Sequence, residues 1–116
     1  MAEQKAQQMP IFSKSYDMLI WLMQVTQHFP RAHRHDYTKR LLDAAFDFRE
    51  CLEVSNLRRA GARLEYLHKA DEALAKLKLY VRLAVKMGWL SRGQYEHIAK
   101  MEVEVGKLLG GWMKVT

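Results

Sequence analysis

Apolar residues recur every three or four positions along most of the chain, the spacing of one helix face. Four helices are predicted. The first spans residues 11–28, where Phe12, Tyr16, Leu19, Ile20 and Met23 mark one apolar face and Met18, Trp21, Leu22 and Val25 another. A surface helix of a monomer needs one such stripe. Two stripes therefore predict a subunit interface, with Trp21 and Leu22 between subunits. Residues 1–10, MAEQKAQQMP, are polar and are expected to form a disordered tail before a single bundle domain over 11–116.

Pro30 breaks the pattern, and a second helix over 33–55 carries Tyr37, Leu41, Ala44, Ala45, Phe48 and Leu52. A third over 57–87 carries Leu67, Ala70, Leu74, Leu77, Val81 and Ala84 in near-heptad register, with Gly61 in its first turns inviting a bend or fraying. Gly88 is placed to stop it. Ser91-Arg92-Gly93-Gln94 reads as a capping box opening a fourth helix, which carries Ile98, Met101, Val105, Leu108 and Trp112. Both prolines precede the second helix, and no Asn-Gly or Asp-Gly hairpin signal occurs. Short connections between long helices imply an all-α, antiparallel up-down four-helix bundle. Gly106 and Gly110 share one face of the last helix, where each glycine costs about 1 kcal/mol against alanine. They fit either close approach of another helix or subunit, or fraying near the C-terminus.

Length sets outer bounds. The 116 residues suit one domain. They are too few for a TIM barrel of about 250 residues or for a full dinucleotide-binding fold. The longest mostly apolar run, residues 18–25, falls well short of the ~20 residues of a membrane span. With no secretory signal at the start, the cytoplasm is expected. Cys51 is the single cysteine, so no internal disulfide forms, and an inert buried thiol is expected.

Catalytic patterns are absent from the sequence: no glycine-rich phosphate loop, no GxSxG elbow, no CxxC. Asp43 and Asp47 share a helix face, but beside Lys39 and Arg40 they read as a solvated charged face. Glu102 and Glu104, two apart, diverge on a helix and are not expected to do acid–base work. His33 and His35 point ~200° apart on a helix and have no cysteine near, so they read, with His28, as exposed additions to a basic turn. No catalytic residue, metal or cofactor is expected, and the chain is not expected to be an enzyme.

Charge gives the positive signal. Nineteen Lys+Arg against thirteen Asp+Glu leave a net +6. The cations gather in three places: Arg31, Arg34, Lys39 and Arg40 around the first turn; Arg58, Arg59 and Arg63 at the start of helix three; and Lys78, Arg82 and Lys86 along it. At 100° per residue the last three lie ~40°, ~80° and ~120° from Leu74, edging the core stripe. One such row is usually a solvated face, whereas three with few acidic neighbours suit the phosphates of nucleic acid. No base-reading signature or aromatic platform stands between them, so binding is expected to be electrostatic and blind to sequence.

ADEALAKLKLYVRLA (residues 70–84), then WLS and EVGKLLGGWMK (residues 104–114), resemble the accessory variability determinant (Avd) proteins of diversity-generating retroelements. Tyr16, the Phe29-Pro30-Arg31 turn and the helix order fit the same family, which is related to the ribosomal intervening-sequence four-helix bundle proteins. The resemblance covers the chain from about Ile11 onward, and VGKLLGGW is its most specific part. It implies a ring-like homopentamer with a basic surface. Its implied partners are a reverse transcriptase and nucleic acid, including template-repeat RNA and cDNA, in support of error-prone synthesis without catalysis of its own. Lys78 and Arg82 fall where the family carries basic residues on helix three, and Arg31 follows the helix-breaking proline. This chain ends soon after Trp112 and lacks the longer basic tail of some relatives. A second reading from the residues is a helical protein-interaction or scaffold module with incidental basic charge, which salt-sensitive RNA binding would separate from the first.

Overall fold

The computed structural model describes residues 9–116, and every regular element among them is helical. Helix α1 (Pro10–Val25) runs into a 3-10 turn (Thr26–His28). After Pro30 come a second 3-10 turn (Arg31–His33) and a π-helical turn (Arg34–Thr38). Helices α2 (Lys39–Leu57), α3 (Ala60–Lys86) and α4 (Arg92–Lys114) follow. The expected tail lies outside the described residues apart from Met9 and Pro10, and Pro10 is the first residue of α1. There its missing N–H is no loss, because a first-turn N–H has no partner within the helix.

Successive helices run antiparallel. α1 packs on α2 and α4, α3 packs on the same two, and the bundle measures 45 × 25 × 19 Å. The core stripes expected on helices two and three are all buried, Tyr37 through Leu52 and Leu67 through Ala84. Between them the chain turns through extended Arg58 and Arg59 and through Ala60 at φ 47°. The Arg58 N–H closes on the Ser55 carbonyl at 3.2 Å, so Leu57 ends α2 instead of opening α3. Both other punctuation signals act as expected. Gly88 takes φ 77°, and the Gly88→Val85 and Trp89→Ala84 backbone bonds close a Schellman motif. Ser91 Oγ accepts from the Gln94 N–H while the Gln94 side chain accepts from the Ser91 N–H.

Helix α1 corrects the sequence expectation. Leu22, expected between subunits, is 1% exposed within the single chain and joins Ile11, Met18 and Val25 in the core. Ser15 completes that inward stripe, its hydroxyl donating to the Phe12 carbonyl at 3.2 Å. A serine in the middle of the stripe hides it from a count of apolar residues. Trp21 is half-buried against His97 of α4, ring centroids 5.1 Å apart. The apolar residues that α1 leaves exposed are Tyr16, Ile20 and Met23.

The glycine pair of α4 also resolves. A Cβ on Gly106 would lie 3.6 Å from Cδ2 of Leu74, so this position marks the approach of α3 to α4 inside one chain, not a contact between subunits. Gly110 faces open space. Helix α4 continues to Lys114, and neither glycine frays it. Its core stripe is Ile98, Glu102, Val105, Leu109 and Trp112, with Met101 and Leu108 at the flank.

Candidate nucleic-acid interface

Two of the three basic clusters meet at one end of the bundle. The turn after α1 and the turn after α3 are joined there by an aromatic cluster. Trp89 packs against Tyr37 at 4.9 Å, His33 at 5.1 Å and Phe29 at 6.0 Å between ring centroids. The Tyr37 hydroxyl donates to the Tyr80 carbonyl, which ties the start of α2 to α3. Antiparallel packing thus brings Arg31, Arg34, Lys39 and Arg40 to the end where α3 finishes with Arg82 and Lys86. All six are exposed. Lys39 is bonded to Asp43 at 2.7 Å, so its charge is partly answered locally. His33 pairs with Asp36 at 3.2 Å, which holds the Asp36 carboxyl below its ordinary range. No local sequence pattern signals that these scattered aromatic residues converge here, because the contacts span two different turns.

Arg58, Arg59 and Arg63 lie at the opposite end. Arg63 to Arg82 is nineteen residues of continuous helix, about 28 Å of rise. Here the structure changes the role expected of Arg63. Its Nε donates to the Ser55 carbonyl at 2.9 Å, and its guanidinium sits 5.7 Å from the Trp112 ring centroid. The Ser55 carbonyl, in the last turn of α2, accepts from the Arg58 N–H and takes the Arg63 bond as its second. Half-buried Arg63 closes that turn and joins α2, α3 and α4. Arg58 lies over Tyr66 at 5.8 Å, while Arg59 is exposed.

The row along α3 is differently placed. Lys78 is half-buried, Arg82 and Lys86 are exposed, and none of the three is ion-paired among the described residues. Adjacent members are separated by about 6 Å of helix rise. Outward of this row runs a second, apolar one, Leu79, Leu83 and Met87, also exposed. Inward, on α4, stands Glu102. Its spacing from Glu104 argues only against acid–base work; it is 5% exposed, and its Oε2 is buried without a hydrogen-bond partner among the described residues. Burial pushes its carboxyl up to about 7, against the opposing pull of Lys78 and Arg82. A signal was present: Glu102 stands four residues after Ile98 and three before Val105, inside the core stripe.

Other expected sites stay simple. No three His, Cys, Asp or Glu side chains gather as a metal centre among the described residues. Cys51 is half-buried, and burial raises its thiol above the ordinary range. No helix among the described residues is long and apolar enough to cross a membrane.

Fold and surface together define an antiparallel four-helix bundle whose α3 carries a cationic row with no ion-pair partner among the described residues. The bAvd-like family model matches residues 8–116, and the chain belongs to that family, making it an Avd-type protein. The fold is also similar to the crystal structure of a protein of unknown function from the S23 ribosomal protein family of Bacteroides thetaiotaomicron, with a TM-score of 0.82. That likeness covers 98% of this chain and 99% of the other at 16% sequence identity, and shows a shared fold. No curated protein matches the sequence.

Proposed function

We propose that this chain is a non-catalytic accessory protein of a diversity-generating retroelement, working in the cytoplasm beside the element's reverse transcriptase. Its role is to hold template-repeat RNA and the cDNA made from it through lysine and arginine contacts to phosphates. Family membership over residues 8–116 is the observation that carries this reading. Lys78, Arg82 and Lys86, without ion-pair partners among the described residues, supply the chemistry, and Arg31, Arg34 and Arg40 extend the cationic field around the same end of the bundle. A ring-like homo-oligomer, a pentamer by the family resemblance, would repeat that field in every subunit and multiply the attraction for a polyanion. Two exposed apolar rows on different helices, Tyr16–Ile20–Met23 and Leu79–Leu83–Met87, support the ring. Unlike surfaces meeting head to tail close into rings, whereas one self-complementary surface gives a dimer.

The test is reconstitution with the reverse transcriptase of the same element. cDNA synthesis on template RNA should depend on this protein and fall when Lys78 and Arg82 are both changed to Ala. Stimulation that survives loss of both cations, with RNA binding indifferent to salt, would favour a protein-only scaffold built on the apolar rows instead.

A further inference from the structure

We propose that Glu102 is a proton switch behind the Lys78–Arg82 phosphate site, so that a phosphate bound there draws a proton onto the buried carboxyl. This inference rests on the phosphate-binding reading above and adds its regulation. Gly106, one turn beyond Glu102, faces Leu74 of α3 at 3.6 Å, which fixes this side of α4 against α3. Lys78 and Arg82 follow Leu74 by one and two turns along α3. The carboxylate therefore sits behind the two cations, with little access to water and with Oε2 unpartnered.

Charges facing Glu102 come from one neighbouring helix. Lys78 and Arg82 of α3 both favour its ionised form, and burial outweighs them, leaving a carboxyl that titrates at about 7. On the α1 side of α4, Lys14 is bonded to Glu104 at 3.2 Å and His97 packs on Trp21. Glu104 points about 160° away from Glu102 around the helix. When ionised, Glu102 subtracts from the field that Lys78 and Arg82 present outward. A phosphate at the pair adds a second negative charge near a poorly solvated carboxyl, whose charged form becomes less favourable. Linkage then requires proton uptake on binding, with affinity falling as pH rises through neutrality.

The experiment compares wild type and Glu102→Gln by fluorescence anisotropy with a labelled oligouridylate, at constant low ionic strength, from about pH 6 to 8.5. The five histidines, His28, His33, His35, His68 and His97, are common to both proteins, so the difference between the two profiles isolates Glu102. Wild type should lose on the order of 3–10-fold more affinity than Glu102→Gln across the range, and the variant should bind tighter by that factor at the alkaline end. In wild type itself, the carboxyl carbon-13 resonance of Glu102 should titrate near neutrality and move to higher pH with RNA bound. Parallel affinity profiles, or a Glu102 midpoint unmoved by RNA, would overturn the switch and leave phosphate binding standing. No binding by either protein at any pH would overturn the phosphate-binding reading, and the switch with it.

Discussion

The turn into α3 and its last three turns each carry three of the cations, yet the fold treats them differently. At the start, Arg63 is drawn inward to the Ser55 carbonyl and the Trp112 ring, and Arg58 lies on Tyr66. Along the last turns, Lys78, Arg82 and Lys86 have no ion-pair partner among the described residues, and the carboxylate behind Lys78 and Arg82 is one that burial tends to neutralise. Arg63, beside the end of α2, finds a free acceptor position on the Ser55 carbonyl and an aromatic face to cover. Lys78, Arg82 and Lys86 have no such carbonyl or aromatic partner among the described residues. Partners on neighbouring helices, more than charge count, separate cations that hold the fold from cations free for a ligand.

The sharpest way to break the structural end is Trp112→Ala. Trp112 is 4% exposed, meets Phe12 edge-on at 5.6 Å and underlies Arg63. Its truncation should remove about 3–5 kcal/mol of stability, read by chemical denaturation. Next comes the carboxylate behind the free row. With the Glu102 carboxyl raised from 4.5 to about 7, the folded chain keeps a proton that the unfolded chain has released between those values. Stability should therefore fall as pH climbs through that window and level off above it, while Glu102→Gln removes the fall. Near pH 8 the variant should be the more stable by on the order of 2–3 kcal/mol.

Smaller changes sharpen the contrast. Arg63→Met should lower stability by about 1–2 kcal/mol through the lost bond to Ser55. The same change should alter RNA affinity less than twofold, a small loss for a contact to phosphate. Smallest is Ser91→Ala, which removes one half of the capping box that starts α4. A loss of about 1 kcal/mol in melting experiments, with RNA binding unchanged, is expected.

Much of this architecture was legible in the sequence. The helical period, Gly88 and the Ser91–Gln94 box place the four helices, and the stripes of α2 and α3 are those of the core. What escaped had polar side chains inside apolar stripes. Ser15 split the inward face of α1 into two apparent faces, which moved Leu22 outward on paper. A count of apolar residues favours Met101 over Glu102, one position away, as the core member. The Arg63 contact joins residues eight and forty-nine positions apart, and the Trp89 cluster joins two turns; no local pattern encodes either. The candidate site was therefore visible as three charge clusters, without the distinction between the ones that are free and the one that is held.

The most direct test of that distinction is the salt dependence of RNA binding. Wild type, the Lys78→Ala/Arg82→Ala pair and the Arg58→Gln/Arg63→Gln pair would each be titrated with an unstructured RNA and a scrambled control by filter binding at several salt concentrations. Log affinity should fall steeply and linearly with log salt in wild type, equally for both RNAs. The slope should become shallower by about two in the Lys78/Arg82 pair and stay near wild type in the Arg58/Arg63 pair. A flat dependence in wild type, or a greater loss from the Arg58/Arg63 pair in a folded protein, would contradict the account.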